Sequence, residues 1–239
     1  MATEFGRGYA SAGKAVSVIA FDLKTLKPLG EIKVGKKPDA IIYEPFTKRI
    51  YVMNGDSENI TVLNAKGGAV VGTIALGGDP EFAVSDARGN LYVNLEKQNE
   101  TLHIDVNPMK VVDRWALAPC TIPTALSLDV ENKRLFVGCR SKHLAVLNAE
   151  TGKVVFTAPI GDHVDAGAFD TKTKLVYLST GDGKVSVFRQ DSPDNYSLVQ
   201  EITTKSGGKT MGYDPKTARV FVPTSDNGAM QVLVFGNHK

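Results

Sequence analysis

The chain has only 2 cysteines and 1 tryptophan, and neither sign of charge dominates. Its 28 Lys and Arg stand against 26 Asp and Glu, a formal net charge of +2 over 239 residues. A near-balanced charge excludes a strongly basic nucleic-acid binder and an acidic tail protein, so no nucleic-acid partner is expected. No run approaches eighteen apolar residues, which leaves no membrane-spanning helix and no membrane partner to expect. The first residues, Met1 to Arg7, lack the apolar centre of a signal peptide. No stretch carries a convincing helical period. P-loop and Gly-x-Ser-x-Gly motifs are missing, and no His pair has zinc-ligand spacing.

What is present is a repeat. An acidic residue, a short polar stretch and an aliphatic–aromatic–aliphatic step recur as Glu44 to Val52, Asp86 to Val93, Asp129 to Val137, Asp170 to Leu178 and Asp214 to Val222. The aromatic anchors are Tyr51, Tyr92, Phe136, Tyr177 and Phe221, with gaps of 41, 44, 41 and 44 residues. Tyr9, 42 residues before Tyr51, makes a sixth. Self-similarity at this period marks a repeat architecture.

Each unit reads as strands, here A (innermost) to D (outermost). Alternating runs such as Val16–Phe21, Ile60–Leu63, Leu144–Leu147, Val185–Phe188 and Met230–Val234 are separated by Gly, Pro, Asn and Asp turns. Four strands per unit of about 42 residues is the blade of a β-propeller. The expectation is an all-β, single-domain propeller over residues 1–239 with about six repeats. The strands number five A, six B, six C and five D, two short of six complete blades. The first and last blades are therefore incomplete, the ring closes irregularly, and a homodimer through the open edges is one way to cover them. The acids that open the A–B turns suit hydrogen bonds to backbone N–H two residues on, so they are set aside as catalysts.

The repeat resembles the YVTN-repeat propellers, which include YncE-like proteins. The nearest copy of their phrase is Ala145 to Val154, and the likeness covers nearly the whole chain. It implies a seven-bladed relative from which this chain lacks the first blade, and a periplasmic or extracellular setting. It implies little about activity, because one fold hosts many functions.

Cys120 lies in a D–A loop and Cys139 ends the B strand of the same repeat. Antiparallel A and B strands bring those points to one face, so a disulfide is geometrically reasonable. The alternative is two unpaired thiols, with His143 as the sequence-local base for a reactive one.

Binding in a propeller is expected at the funnel mouth, where loops converge. Asp39, Glu81, Thr124, Asp165 and Thr210 stand just before successive A strands and should form a ring. Asn54, Asp56, Asn94, Glu96, Arg140, Asp182 and Asp226 come from B–C loops, and His163 from a D–A loop. Three carboxylates in a ring repel unless a cation screens them. If a metal is bound, Asp39, Glu81, Asp165 and Asn94 are its expected ligands, with oxygen chemistry suited to Ca²⁺ or Mg²⁺. Otherwise no cofactor is expected. His103 replaces an apolar residue of a C strand and reads as packed. His238 is in the tail.

Two main functions follow. One is a non-enzymatic binding or scaffold propeller, with a small molecule, peptide or protein at the funnel. The other is a metal-assisted lactonase- or esterase-like hydrolase, in which the cation activates water. A third is an inert fragment that keeps only the fold.

Overall fold

The computed structural model describes residues 1–236. Six antiparallel sheets follow one another along the chain, each a blade of a β-propeller. The first holds β1 (Arg7–Ala12), β2 (Ser17–Asp22) and β3 (Pro28–Lys33). The second holds β4 (Pro38–Glu44), β5 (Arg49–Asn54), β6 (Asn59–Asn64) and β7 (Val70–Ala75). The third holds β8 (Pro80–Ser85), β9 (Asn90–Leu95), β10 (Glu100–Asp105) and β11 (Lys110–Ala116). The fourth holds β12 (Pro123–Asp129), β13 (Arg134–Cys139), β14 (His143–Asn148) and β15 (Val154–Pro159). The fifth holds β16 (Val164–Asp170), β17 (Leu175–Thr180), β18 (Lys184–Ser192) and β19 (Asn195–Thr203). The sixth holds β20 (Gly212–Asp214), β21 (Arg219–Asp226) and β22 (Ala229–Phe235). The first and last sheets have three strands each, as the strand count requires. Residues Met1–Trp115 and Ala116–Lys239 make two compact units.

Packing explains the anchors. Tyr51, Tyr92, Phe136 and Tyr177 each hold the third place of a B strand, and all are buried. In the first unit, Tyr51, Met53 and Val62 of the second sheet pack on Leu91, Val93 and Ile104 of the third. In the second unit, Phe136, Leu144 and Val146 pack on Val176, Leu178 and Phe188 of the next sheet. A strand covered on both faces needs apolar residues on both, which is why β5, β9, β13 and β17 lack a polar alternation. Tyr9 adds a polar tie: its hydroxyl donates to the Ala65 carbonyl at 2.7 Å.

The A–B turns are built as their acids predict. Glu44, Asp86, Asp129, Asp170 and Asp214 each accept the backbone N–H two residues on, at 2.8 to 3.1 Å. At Asp170 and Asp214 such bonds favour the charged form. Burial works against the Asp170 carboxylate, yet the Thr173 hydroxyl and the Lys172 N–H hold its pKa below the usual value. The Thr217 hydroxyl does the same for Asp214, and the Thr25 N–H for Asp22. A depressed folded pKa adds stability above the unfolded value, about 3.9, and that stability is lost as pH falls through the folded pKa. The urea midpoint should therefore drop steadily between about pH 5 and pH 2. Asp170→Asn, which keeps an acceptor but cannot ionise, should flatten that slope. An unchanged slope would remove Asp170 from the account.

Candidate functional site

The inner strands begin earlier than the sequence reading placed them. β4, β8 and β12 open at Pro38, Pro80 and Pro123, and β16 opens at Val164. Proline has no N–H to give, so it suits the first residue of a strand as well as a loop. Asp39, Glu81, Thr124 and Asp165 are therefore second residues of strands and not loop residues. In all four strands the register slips here: Pro38 to Ile41, Pro80 to Ala83, Pro123 to Ala125 and Val164 to Ala166. A bulge re-aims the side chain it carries. Only Thr210 stays outside its strand, since β20 starts at Gly212.

In the second unit these positions are linked. The Thr124 hydroxyl is buried and donates to the Val164 carbonyl at 2.7 Å. The Asp165 carboxylate accepts from Lys209 Nζ at 3.0 Å and from the Thr210 hydroxyl at 3.2 Å. Arg140 Nη2 stands 3.5 Å from the same carboxylate. Ser179 Oγ donates to the Lys209 carbonyl and fixes that loop. His163 is exposed, held at φ 57° beside Asp162, with Nδ1 at 3.1 Å from Oδ1. The structure thus brings Asp165, Thr210 and Arg140 together, with Thr124 bonded to the residue before Asp165.

In the first unit Asp39 is exposed and Glu81 is half-buried, each at its own bulge. Asn54 and Asn94 are buried and turned inward. Asn54 Nδ2 donates to Asn59 Oδ1 at 2.8 Å and to Thr61 Oγ1 at 2.9 Å. Asn94 Oδ1 accepts from the Thr101 hydroxyl at 2.8 Å. Both are strand residues, at the end of β5 and one from the end of β9, and not loop residues. Among the outer B–C positions, Asp56 is exposed, Glu96 is half-buried, and Asp182 accepts the Thr180 hydroxyl at 2.6 Å. His238 and the side chain of Asp226 lie outside the described residues. Among the described residues, no three His, Cys, Asp or Glu side chains are grouped to hold a metal ion.

Two participants escaped the sequence reading. Lys209 is one, and its signal was available. It occupies the place where the other repeats have Pro38, Pro80, Pro123 and Val164, so a cation there is the exception. Asp79 is the other. It is buried, with Oδ2 at 3.1 Å from Lys97 Nζ and 3.6 Å from Lys37 Nζ. The Asp79 bond raises the pKa of Lys97.

Cys120 and Cys139 form a disulfide, with Cα atoms 5.7 Å apart. No thiolate is left for His143 to activate. His103 is packed, as its position implied. Its ring forms a triangle with those of Tyr92, at 5.2 Å, and Trp115, at 5.6 Å, and Nε2 is 2.8 Å from Asn90 Oδ1.

No protein-family model and no curated protein matches the sequence. The fold has clear structural neighbours. A chain in a structure of the mitotic checkpoint complex aligns with a TM-score of 0.83 at 13% identity, covering 97% of this chain and 72% of its own. A propeller domain of Cps50 (Swd1) from Myceliophteria thermophila gives 0.79 at 11%, covering 99% and 85%. A chain of hydrazine synthase from Kuenenia stuttgartiensis gives 0.66 at 16%, covering 95% and 92%. At these identities the likeness is one of fold.

Proposed function

We propose that this chain is a non-enzymatic binding propeller that presents the start of its inner strands to a protein or peptide. The observation that carries this reading is the state of Asp165. Lys209, Arg140 and Thr210 already engage its carboxylate. A carboxylate whose oxygens already face two cations and a hydroxyl is poorly placed to take a proton from a substrate or a water. The amide assigned to the hydrolase's cation is also committed: Asn94 Oδ1 accepts from the Thr101 hydroxyl. Exposed polar residues remain at the strand starts, Asp39 in the first unit and His163 and Thr210 in the second. Such residues suit the polar, charge-steered contacts of a protein interface better than bond cleavage.

The neighbours leave the choice to the site. One comes from a named protein complex and another from an enzyme. The YVTN-like repeat phrase and the Cys120–Cys139 bridge support an oxidising, periplasmic or extracellular setting.

The test pairs selection with an assay. A random peptide library displayed on phage, panned on the intact chain, should enrich sequences that an Arg140→Glu, Lys209→Glu variant no longer retains. Ester and lactone hydrolysis should stay at background, and Ca²⁺, Mg²⁺ or EDTA should leave the melting temperature unmoved. Equal retention by the variant, or turnover that follows an added ion, would sink the reading.

A further inference from the structure

The last strand is an interior strand without its cover. In β21–β22 the anchor Phe221 faces Val234, as Tyr177 faces Val187 in β17–β18 and Phe136 faces Val146 in β13–β14. So β22 is the counterpart of β18 and β14. In those strands Leu144 to Leu147 and Val185 to Phe188 are buried. In β22, Met230, Val232 and Val234 lie on the face that packs on a following sheet in the earlier repeats, and they are 79%, 48% and 52% exposed; β22 is also the edge of its sheet, with no strand beyond it among the described residues. The strand also has no charge and no proline from Ala229 to Phe235. Proteins normally blunt an open edge with one or the other.

The repeat shows what fits there. Between the fourth and fifth sheets, the outer end of the junction is closed by Tyr196, at the start of the fourth strand β19. Its ring meets Phe136 edge-on at 5.6 Å and lies 5.1 Å from Phe156. Met109 plays the same part between the second and third sheets, where its Cε fills the space over Gly72 that a side chain there would need. One junction further on, Tyr177, Val187 and Gln200 take the places of Phe136, Val146 and Phe156, while Val220 and Phe235 take those of Val176 and Phe188. No fourth strand follows among the described residues. In its place a cleft of about 400 Å³ opens, lined by the apolar Leu175, Tyr177, Val187, Val220 and Phe235 and by one charged residue, Arg219.

Charge narrows the occupant. Arg134 of the fourth sheet holds Asp194, in the turn before β19, at 2.8 Å. Its counterpart in the fifth sheet is Leu175, so the matching turn here meets an apolar residue. A second copy is the poorer occupant. Two rigid sheets meeting along a strand of seven residues, roughly 23 Å, fall short of the ~1,200 Å² that stable interfaces bury. A flexible segment can pair with the edge and also fill the cleft.

We propose that the outer edge of β22 takes an extended, largely uncharged segment of a partner protein as an antiparallel fourth strand, with an aromatic or methionine side chain near its start seated in the cleft. This is strand addition with a side-chain anchor.

The probe is a fluorescein-labelled peptide with the chain's own Ser192–Thr203 sequence carrying Asp194→Asn and Glu201→Gln, titrated against the intact protein by anisotropy. Saturable binding is expected. A peptide with its tyrosine changed to alanine should bind at least about tenfold more weakly, and one N-methylated at alternate residues should not bind. Val234→Asp alters an exposed side chain, so circular dichroism should be unchanged, and it leaves β18 and β19 untouched. It should abolish binding, which separates pairing with β22 from invasion of the fifth sheet. Four results overturn the proposal: no saturable binding, equal binding of the alanine peptide, equal binding by Val234→Asp, or light scattering that shows a dimer which Val234→Asp dissolves.

Discussion

Phe136→Ala should be among the most destabilising single substitutions, costing about 3–5 kcal/mol. Phe136 is fully buried between two sheets. Its ring stands 5.0 Å from Phe169 and 5.6 Å from Tyr196, and Val176 and Phe188 belong to the same cluster. Removing it deletes the apolar contact and leaves a hole that rigid strands on both sides cannot close. The informative control is Phe221→Ala. Phe221 occupies the same place in its repeat but is only half-buried, because its sheet is the last of its unit and no later sheet there packs on that face. Its loss should cost well under half as much. Urea unfolding of the two variants checks both statements. Equal costs would mean that repeat position, and not cover, decides the energy.

That contrast also marks how far the sequence could be read. The anchors, the strand count and the turn acids were legible because each depends on local pattern. Period-two alternation marks a strand wherever it sits. An acid two residues before a free N–H makes its bond whatever the neighbours are, as Asp129 and Asp214 do. The site was legible only in part. Asp39, Glu81, Thr124 and Asp165 were found as equivalent positions, but Pro38, Pro80 and Pro123 were read as loop residues when they open strands. Asn54 and Asn94 looked like loop amides. They are buried strand residues that bond across the turn, Asn54 Nδ2 to Asn59 and Asn94 Oδ1 to Thr101. The engagement of Asp165 by Lys209 joins residues 44 apart. No local pattern carries such a pairing; only the appearance of a cation at Lys209, where the other repeats have an uncharged Pro or Val, hints at it.

The disulfide should be the second large contributor, and it acts through the unfolded chain. It spans 19 residues, from Cys120 ahead of β12 to Cys139 at the end of β13. Closing a loop of that size removes unfolded-state entropy worth about 3 kcal/mol. Cys120→Ala with Cys139→Ala should therefore lower the melting temperature of the Ala116–Lys239 unit by roughly 6–12 °C, at about 2–4 °C per kcal/mol for a chain of this length. Both sulfurs are buried, and Cys139 faces Pro123 across the strand pair, where alanine keeps the backbone register. Dithiothreitol should bring the wild-type protein down to the variant's melting temperature and leave the variant alone. That second comparison separates the cross-link from the packing of two sulfur atoms. If reduction, verified by mass, leaves the wild-type melt unmoved while the double variant still melts early, the stabilisation comes from sulfur packing in the Cys120 and Cys139 pockets and the loop-entropy account is wrong.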